Sequence, residues 1–477
     1  MNLSIDPWIP VVLQDRTVGS VNLEEAFEHG SSIRDLAVRP HERIALMRLL
    51  LCIAHASMDD PDDQKARVHA PRLAKAVSLY LGAQRSCFEL FGKGSRFLQF
   101  ENLVATNAAN EERGTVSKLD LALATGNNST LFDNSGGSNR KFTPAQLALM
   151  LLTYQCFSPS GTIGVALWSG KSTLGGSDHS PCIADGMLHA FPQGPNLAST
   201  IHLNLCSAVE RLLGIRWGRP VWEMMPTSFD DELAIINATK TYLGRLVPIS
   251  RAIRLAENGD LLLANGLGYP KIREASATIM AKGMEREPLR ASLDKALWRV
   301  LNALTTQAAS NRDSIGGPIA LNNLSENEAF DLWVGALVVR RAKVLDTVES
   351  VYHLPATMLL DTGQKRYEDG IDFAEAIERN LKNAVSSYRR EVGDNLATLQ
   401  HKATFQYWTQ AEQMLPQLLD AVKSSEPLQE QREWAKTLWG QALGCFAHEV
   451  YKTVCPHETG RQIRAFVKGL RKLSSRY

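Results

Sequence analysis

From about residue 369 onward the chain carries apolar residues at helical spacing almost without a break, and this stretch limits the possible folds more than any other. Four segments emerge, 371–391, 396–424, 429–453 and 459–477, separated at Gly393, Pro427 and Pro456. Glycine and proline end helices, and Asp394 and Thr459 stand where caps belong. Pro416 predicts a kink inside the second segment. Four helices with short connections pack most simply as an up-down antiparallel bundle. The last segment is the clearest amphipathic pattern. Ile463, Phe466, Val467, Leu470 and Leu473 form one stripe, and Arg461, Arg464, Lys468, Arg471 and Lys472 recur opposite it. Such a basic face is either solvated or a phosphate contact, and the scarcity of acidic residues among these cations argues for phosphate.

The remaining residues need a fold of their own. A chain of 477 residues is too long for one core, and 44% apolar with 22% charged residues is the balance of a folded protein. The net charge is only +1, so any affinity for nucleic acid must come from local patches. Seven cysteines, at 52, 87, 156, 182, 206, 445 and 455, show no C-x-x-C pair. Scattered thiols in odd number suit a reducing cytoplasm. The N-terminus lacks a basic, apolar leader, and no run reaches the roughly 18 apolar residues that span a bilayer. The chain reads as soluble and cytoplasmic, with no membrane partner.

In order, the N-terminal part opens with short proline-broken strands over 3–13 and 18–23, followed by a helical turn capped by Asn22. Residues 40–57 form a helix apolar on most sides, in which Arg43, Arg48 and His55 read as polar ends reaching solvent or carboxylates. Helical pieces follow at 70–81 and 87–91, then a short strand at 97–100. Residues 251–255 and 261–263 flank Asn258-Gly259, a strong hairpin signal, with Arg251 and Arg254 on opposite faces of the first strand. Within 330–351 the cluster Arg340, Arg341, Ala342 and Lys343 sits among β-branched residues, an extended element or turn presenting cations.

Two polar tracts interrupt this pattern. One, 107–141, carries Leu131 and Phe132 at its centre, an apolar tip that packs either on a partner or back on its own core. The other, 157–176, is a Gly, Ser and Pro tract that is either a linker or a recognition loop. Its Gly170-Lys171-Ser172-Thr173 run is not a phosphate-binding loop. Val165 stands where the first glycine should be, and no helix can start after it. Asp178 and His179, with Cys182 and Asp185, have spacing that permits a metal, but nothing completes a ligand set. A metal-dependent hydrolase using Asp178, His179 and Asp185 is the alternative reading. No G-x-S-x-G or H-E-x-x-H motif is present, a modest argument against an enzyme.

Asn2, Leu3, Asp6, Pro7, Trp8, Ile9, Pro10 and Val11 resemble the opening of the CasA family, the large subunits of type I-E CRISPR Cascade surveillance complexes. The helix from His41 to Leu51, the Thr130-Leu131-Phe132-Asp133 tip, the Phe157-Ser158-Pro159-Ser160-Gly161 loop, the Leu203-Asn204-Leu205 segment and the terminal helices stand in family order. The resemblance spans essentially the whole chain.

It implies an α+β protein: a mixed α/β domain over 1–365, then a four-helix bundle over 366–477. It implies a non-catalytic subunit, with no cofactor, that recognises the protospacer-adjacent motif in double-stranded target DNA and starts R-loop formation. The implied motif loop is Ser160, Gly161 and Thr162, the finger is Arg251, and the wedge is Arg340, Arg341 and Ala342 with Lys343 beside them. Leu131, Phe132, Asp133 and Asn134 correspond to the element that anchors the subunit to crRNA and neighbouring subunits. The bundle, with its basic last helix, corresponds to the surface that guides DNA and helps recruit the helicase-nuclease. Two departures stand out: the cysteine cluster that suits zinc in some relatives is missing, and arginine replaces the glutamine often found at the wedge. Arginine suits a narrow minor groove, and that groove's degenerate code implies a relaxed motif preference.

Overall fold

Every residue of helix Pro40–Ala56 from Pro40 to His55 is buried, so this helix is the axis of a core rather than a surface element. It belongs to the computed structural model of the chain, which describes residues 1–477 apart from 59–69, 93, 95, 107–113, 123–139, 162, 177, 184–185, 208, 283–284, 308–315, 341–342, 394–396, 424–430 and 475–477. The chain divides into two units. The first comprises Met1–Leu297, Gln307–Leu324 and Asp331–Tyr352, and the second comprises Trp298–Thr306, Ser325–Phe330 and His353–Tyr477. Among the described residues no helix is long and apolar enough to cross a membrane.

In the first unit, helix Pro40–Ala56 packs on helix Pro144–Phe157, which is apolar on nearly every side and capped by a reciprocal Thr143–Gln146 pair. Strand Ile9–Leu13 lies between Val18–Val21 and Ile33–Leu36 in an antiparallel sheet. Asn22 caps helix Leu23–Glu28 through a capping box with Glu25, as its position implies. The other strands make further sheets of two or three strands, including the hairpin Arg251–Leu255 with Asp260–Asn265. The strand expected at 97–100 is a turn, with Leu98 at φ 53°, and the expected helix at 87–91 is a single 3-10 turn, Arg85–Phe88.

Such full burial forces the charges of helix Pro40–Ala56 to find internal partners. Arg43 pairs with Asp35 at 2.8 Å and lies 5.0 Å over the Trp333 ring. Arg48 pairs with Glu274 at 2.9 Å, and Arg245 holds the other carboxylate oxygen at 2.5 Å. The remaining Arg48 donors meet the carbonyls of Leu246 and Arg245. Burial pushes the Glu274 carboxyl up, but the two guanidiniums outweigh it and hold the group below its usual range.

The second unit is helical. Its spine, Asp361–Val392, starts about ten residues before the apolar period suggests and packs against Ala397–Gln413, Leu415–Lys423, Leu438–Val454 and Gly460–Ser474. Pro416 breaks the expected second helix rather than bending it: one helix ends at Gln413, and the proline enters the first turn of the next, where no backbone donor is missed. The expected third helix is likewise two pieces, Gln431–Trp434 and Leu438–Val454, the latter capped by Thr437.

In helix Gly460–Ser474 the buried positions are Ala465, Gly469 and Leu473. Ile463 and Val467, expected inside, are 48% and 40% exposed and lie among Arg464, Lys468, Arg471 and Lys472. Arg461 and Lys468 close onto the spine. Arg461 donates to the Glu391 carbonyl at 2.8 Å, and Lys468 forms an ion pair with the Glu391 carboxylate.

Candidate functional site

Helix Pro144–Phe157 delivers the chain to Ser158, where the backbone turns extended. The loop beyond it is tied down from below. Ser180 N–H donates to the Ser158 carbonyl at 3.0 Å, and Cys182 N–H donates to the Cys156 carbonyl at 3.1 Å. Gln155 meets strand Arg251–Leu255 at its first residue. Its side-chain oxygen accepts the Arg251 N–H at 2.8 Å, and its amide donates to the Arg251 carbonyl at 2.9 Å. Ser250 Oγ donates to the Gln155 carbonyl at 2.7 Å and lies 2.6 Å from Ser180 Oγ.

Arg251 is the centre of this arrangement. It is 1% exposed. Nε donates to Ser158 Oγ at 2.8 Å, and Nη1 donates to the Ser250 carbonyl at 2.8 Å. Nη2 meets the carbonyls of Pro159 at 2.7 Å, Asp178 at 2.9 Å and Ser158 at 3.3 Å. All of these partners are neutral oxygens. Burial therefore lowers the guanidinium to about 10, with Tyr154 and Asp178 opposing that shift.

This corrects the expectation of a base-reading finger at Arg251. The two arginines do lie on opposite faces of the strand, but the exposed one is Arg254, and Arg251 is turned inward to hold the loop.

Above this brace, Ser160 N–H donates to His179 Nδ1 at 3.1 Å, and Ser160 Oγ lies 3.4 Å from Nε2. Gly161 has φ +146°, a conformation L side chains rarely adopt, and a Cβ built on it meets nothing within 4 Å. Gly161 thus has open space where a side chain would stand, next to a base held by Arg251 and His179. Thr162 lies outside the described residues.

The remaining predicted positions are scattered along the chain. Strands Phe330–Arg340 and Lys343–Leu354 flank the basic cluster; Lys343 is exposed, and Arg341 and Ala342 lie outside the described residues. The first of these strands passes Gly186, where a Cβ would sit 3.4 Å from Val339 N. Leu131, Phe132, Asp133, Asn134 and Asp185 also lie outside the described residues.

Among the described residues no three His, Cys, Asp or Glu side chains converge on a metal-sized space. His179 Nδ1 already accepts from Ser160, and the exposed Asp178 contributes its carbonyl to Arg251. Lys171 does not face a phosphate: it donates to Asp230 at 2.6 Å from a short strand just after the Ser169-Gly170 turn.

The chain is thus a large protein of two units, one mixed α/β and one helical with a basic last helix. Residues 2–445 match the family described as CRISPR-associated protein Cse1, and the chain belongs to that family. It is 28% identical over 418 residues to the CRISPR-associated protein CasA/Cse1 of Thermus thermophilus, covering 82% of this chain and 78% of that one. Its fold is similar to that of Thermobifida fusca Cse1, with a TM-score of 0.81 and 19% identity over 100% of this chain and 98% of the other. It is also similar to a chain of a CRISPR RNA-guided surveillance complex, with a TM-score of 0.73 and 17% identity over 99% of each.

Proposed function

We propose that this chain is the large, non-catalytic subunit of a type I-E Cascade surveillance complex. In this reading it recognises the protospacer-adjacent motif in double-stranded target DNA and starts duplex opening. The observation that carries the reading is the Ser160-Gly161 backbone. A glycine at positive φ with empty space beside it suits close approach to a groove edge or phosphate, where a side chain would collide. Family membership and the likeness to a surveillance-complex chain support it.

In the same reading, Arg340, Arg341, Ala342 and Lys343 form a wedge. Leu131, Phe132, Asp133 and Asn134 anchor the subunit to crRNA and to neighbouring subunits. Arg464, Arg471 and Lys472, with Arg461 and Lys468 partly engaged by Glu391, contact the DNA backbone, and the helical unit takes part in recruiting the helicase-nuclease.

The test is a gel-shift series with the assembled complex carrying Gly161→Asp. The substitution places a carboxylate where phosphate would approach and strains the backbone by about 1–3 kcal/mol. Affinity for a motif-bearing duplex should fall roughly 10- to 100-fold, since about 1.4 kcal/mol is tenfold. Binding to a complementary single strand should stay unchanged. Equal binding of the duplex by variant and parent would overturn the loop assignment.

A further inference from the structure

We infer that His179 and Arg251 are positioning residues that fix the Ser160-Gly161 backbone in the shape that meets the duplex, an inference that rests on the motif-reading role proposed above. The loop leaves helix Pro144–Phe157 with few apolar contacts of its own: Pro159 and Ser160 are half-buried and Gly161 is exposed. A glycine in such a segment has many conformations open to it. Two side chains restrict the segment that leads into it. Arg251 reaches the carbonyls of Ser158, Pro159 and Asp178 at once, closing the base of the loop onto the segment that carries His179. His179 then accepts the Ser160 N–H, the last donor before the glycine.

The chemistry of each residue is specific. An imidazole that accepts at Nδ1 must carry its proton at Nε2, so the bonded form is one neutral tautomer. Asparagine places an acceptor oxygen near the Nδ1 position, whereas glutamine reaches the Nε2 position instead. Arg251 offers a planar fan of five N–H groups, and lysine offers three donors from a single point. His179 and Arg251 therefore act through the loop backbone and need not touch DNA.

The discriminating experiment uses the assembled, guide-loaded complex with His179→Gln, His179→Asn and Arg251→Lys. Amide hydrogen exchange over residues 157–161 reads the loop itself, and gel shifts with motif-bearing duplex and with complementary single strand read its use. In His179→Gln, Ser160 exchange should rise roughly tenfold, the equivalent of one partly buried hydrogen bond, and duplex affinity should fall by a similar factor. His179→Asn should restore both, which also separates positioning from a general loss of stability. Arg251→Lys should raise exchange from Ser158 through Gly161.

Unchanged exchange in His179→Gln and Arg251→Lys would overturn the positioning role. Faster exchange with unchanged duplex affinity would instead overturn the motif-reading role on which the inference stands.

Discussion

At the scale of single residues, the interior of the first unit is shaped by charges that must be satisfied. Arg48 and Arg245 converge on one carboxylate, Glu274, and all three are almost wholly buried. Removing the carboxylate leaves two guanidiniums with only carbonyl partners in a low-dielectric core. Glu274→Gln should therefore destabilise the unit by about 3–5 kcal/mol, the usual effect of breaking a buried pair from one side, as a drop in the urea unfolding midpoint would show. Little of this is legible in the sequence. Arg48 can be seen on an apolar helix and assigned a carboxylate partner in general terms. Nothing local marks Glu274, in the loop after residue 270, as that partner. Arg251 misleads for the same reason. Strand alternation correctly separates it from Arg254, but alternation cannot say which face is the inner one, and the deciding contacts come from Ser158, Pro159 and Asp178 far back in the chain. His179 draws notice as a metal ligand because of its neighbours in sequence, whereas its observed partner is the Ser160 amide.

At the scale of elements, apolar period and cap chemistry locate the helices well, and the errors fall where tertiary packing chooses between similar faces. The last helix shows why. Its predicted stripe includes Ile463 and Val467, the two bulky residues found among the exposed cations, while the observed contact runs through Ala465, Gly469 and Leu473. Small residues let this helix approach the spine and the Tyr451 ring closely, and hydrophobicity alone does not weigh that. A Cβ at Gly469 would overlap the Tyr451 hydroxyl and lie 3.1 Å from the Ala384 carbonyl. That hydroxyl donates to the Phe466 carbonyl at 3.1 Å, so it cannot simply swing away. Gly469→Ala gains about 1 kcal/mol of helix propensity but overpacks a fixed contact at about 1–3 kcal/mol. The expected net is a loss of up to about 2 kcal/mol, read as a lower thermal midpoint of the helical unit. A gain in stability would mean that the helices separate there at little cost. The Pro416 break obeys the same logic: proline is rightly read as an interruption, and the chain uses it to begin a new helix.

At the scale of the whole molecule, the near-zero net charge removes any large global field, so the response to acid depends on individual buried groups. Two histidines stand out. His41, at the start of helix Pro40–Ala56, is lowered to about 3, first by burial and then by Arg39, with Asp120 opposing. His189, whose Nδ1 lies 2.8 Å from Ser276 Oγ, is lowered to about 4, again mainly by burial. Both are neutral when folded, while an unfolded histidine titrates near 6.5. Below about pH 6.5 the unfolded chain binds protons that the folded chain refuses, so stability falls as pH drops and is complete above that value. At pH 5 the loss is about 2 kcal/mol for each histidine, some 1.5 units at about 1.4 kcal/mol per unit. The depressed Glu274 adds to the loss only nearer the carboxylate range, so the fall between pH 6.5 and 5 belongs to the histidines. Urea unfolding of the first unit should therefore be flat from pH 8 to 7 and weaken by about 4 kcal/mol by pH 5. His41→Leu offers a clean control. Among the described residues neither ring nitrogen of His41 has a hydrogen-bond partner, and the ring packs edge-on against Phe157 at 6.2 Å. The leucine variant should keep its stability at pH 8 and lose about half of the acid slope. A variant that retained the full slope would place the acid sensitivity elsewhere in the core.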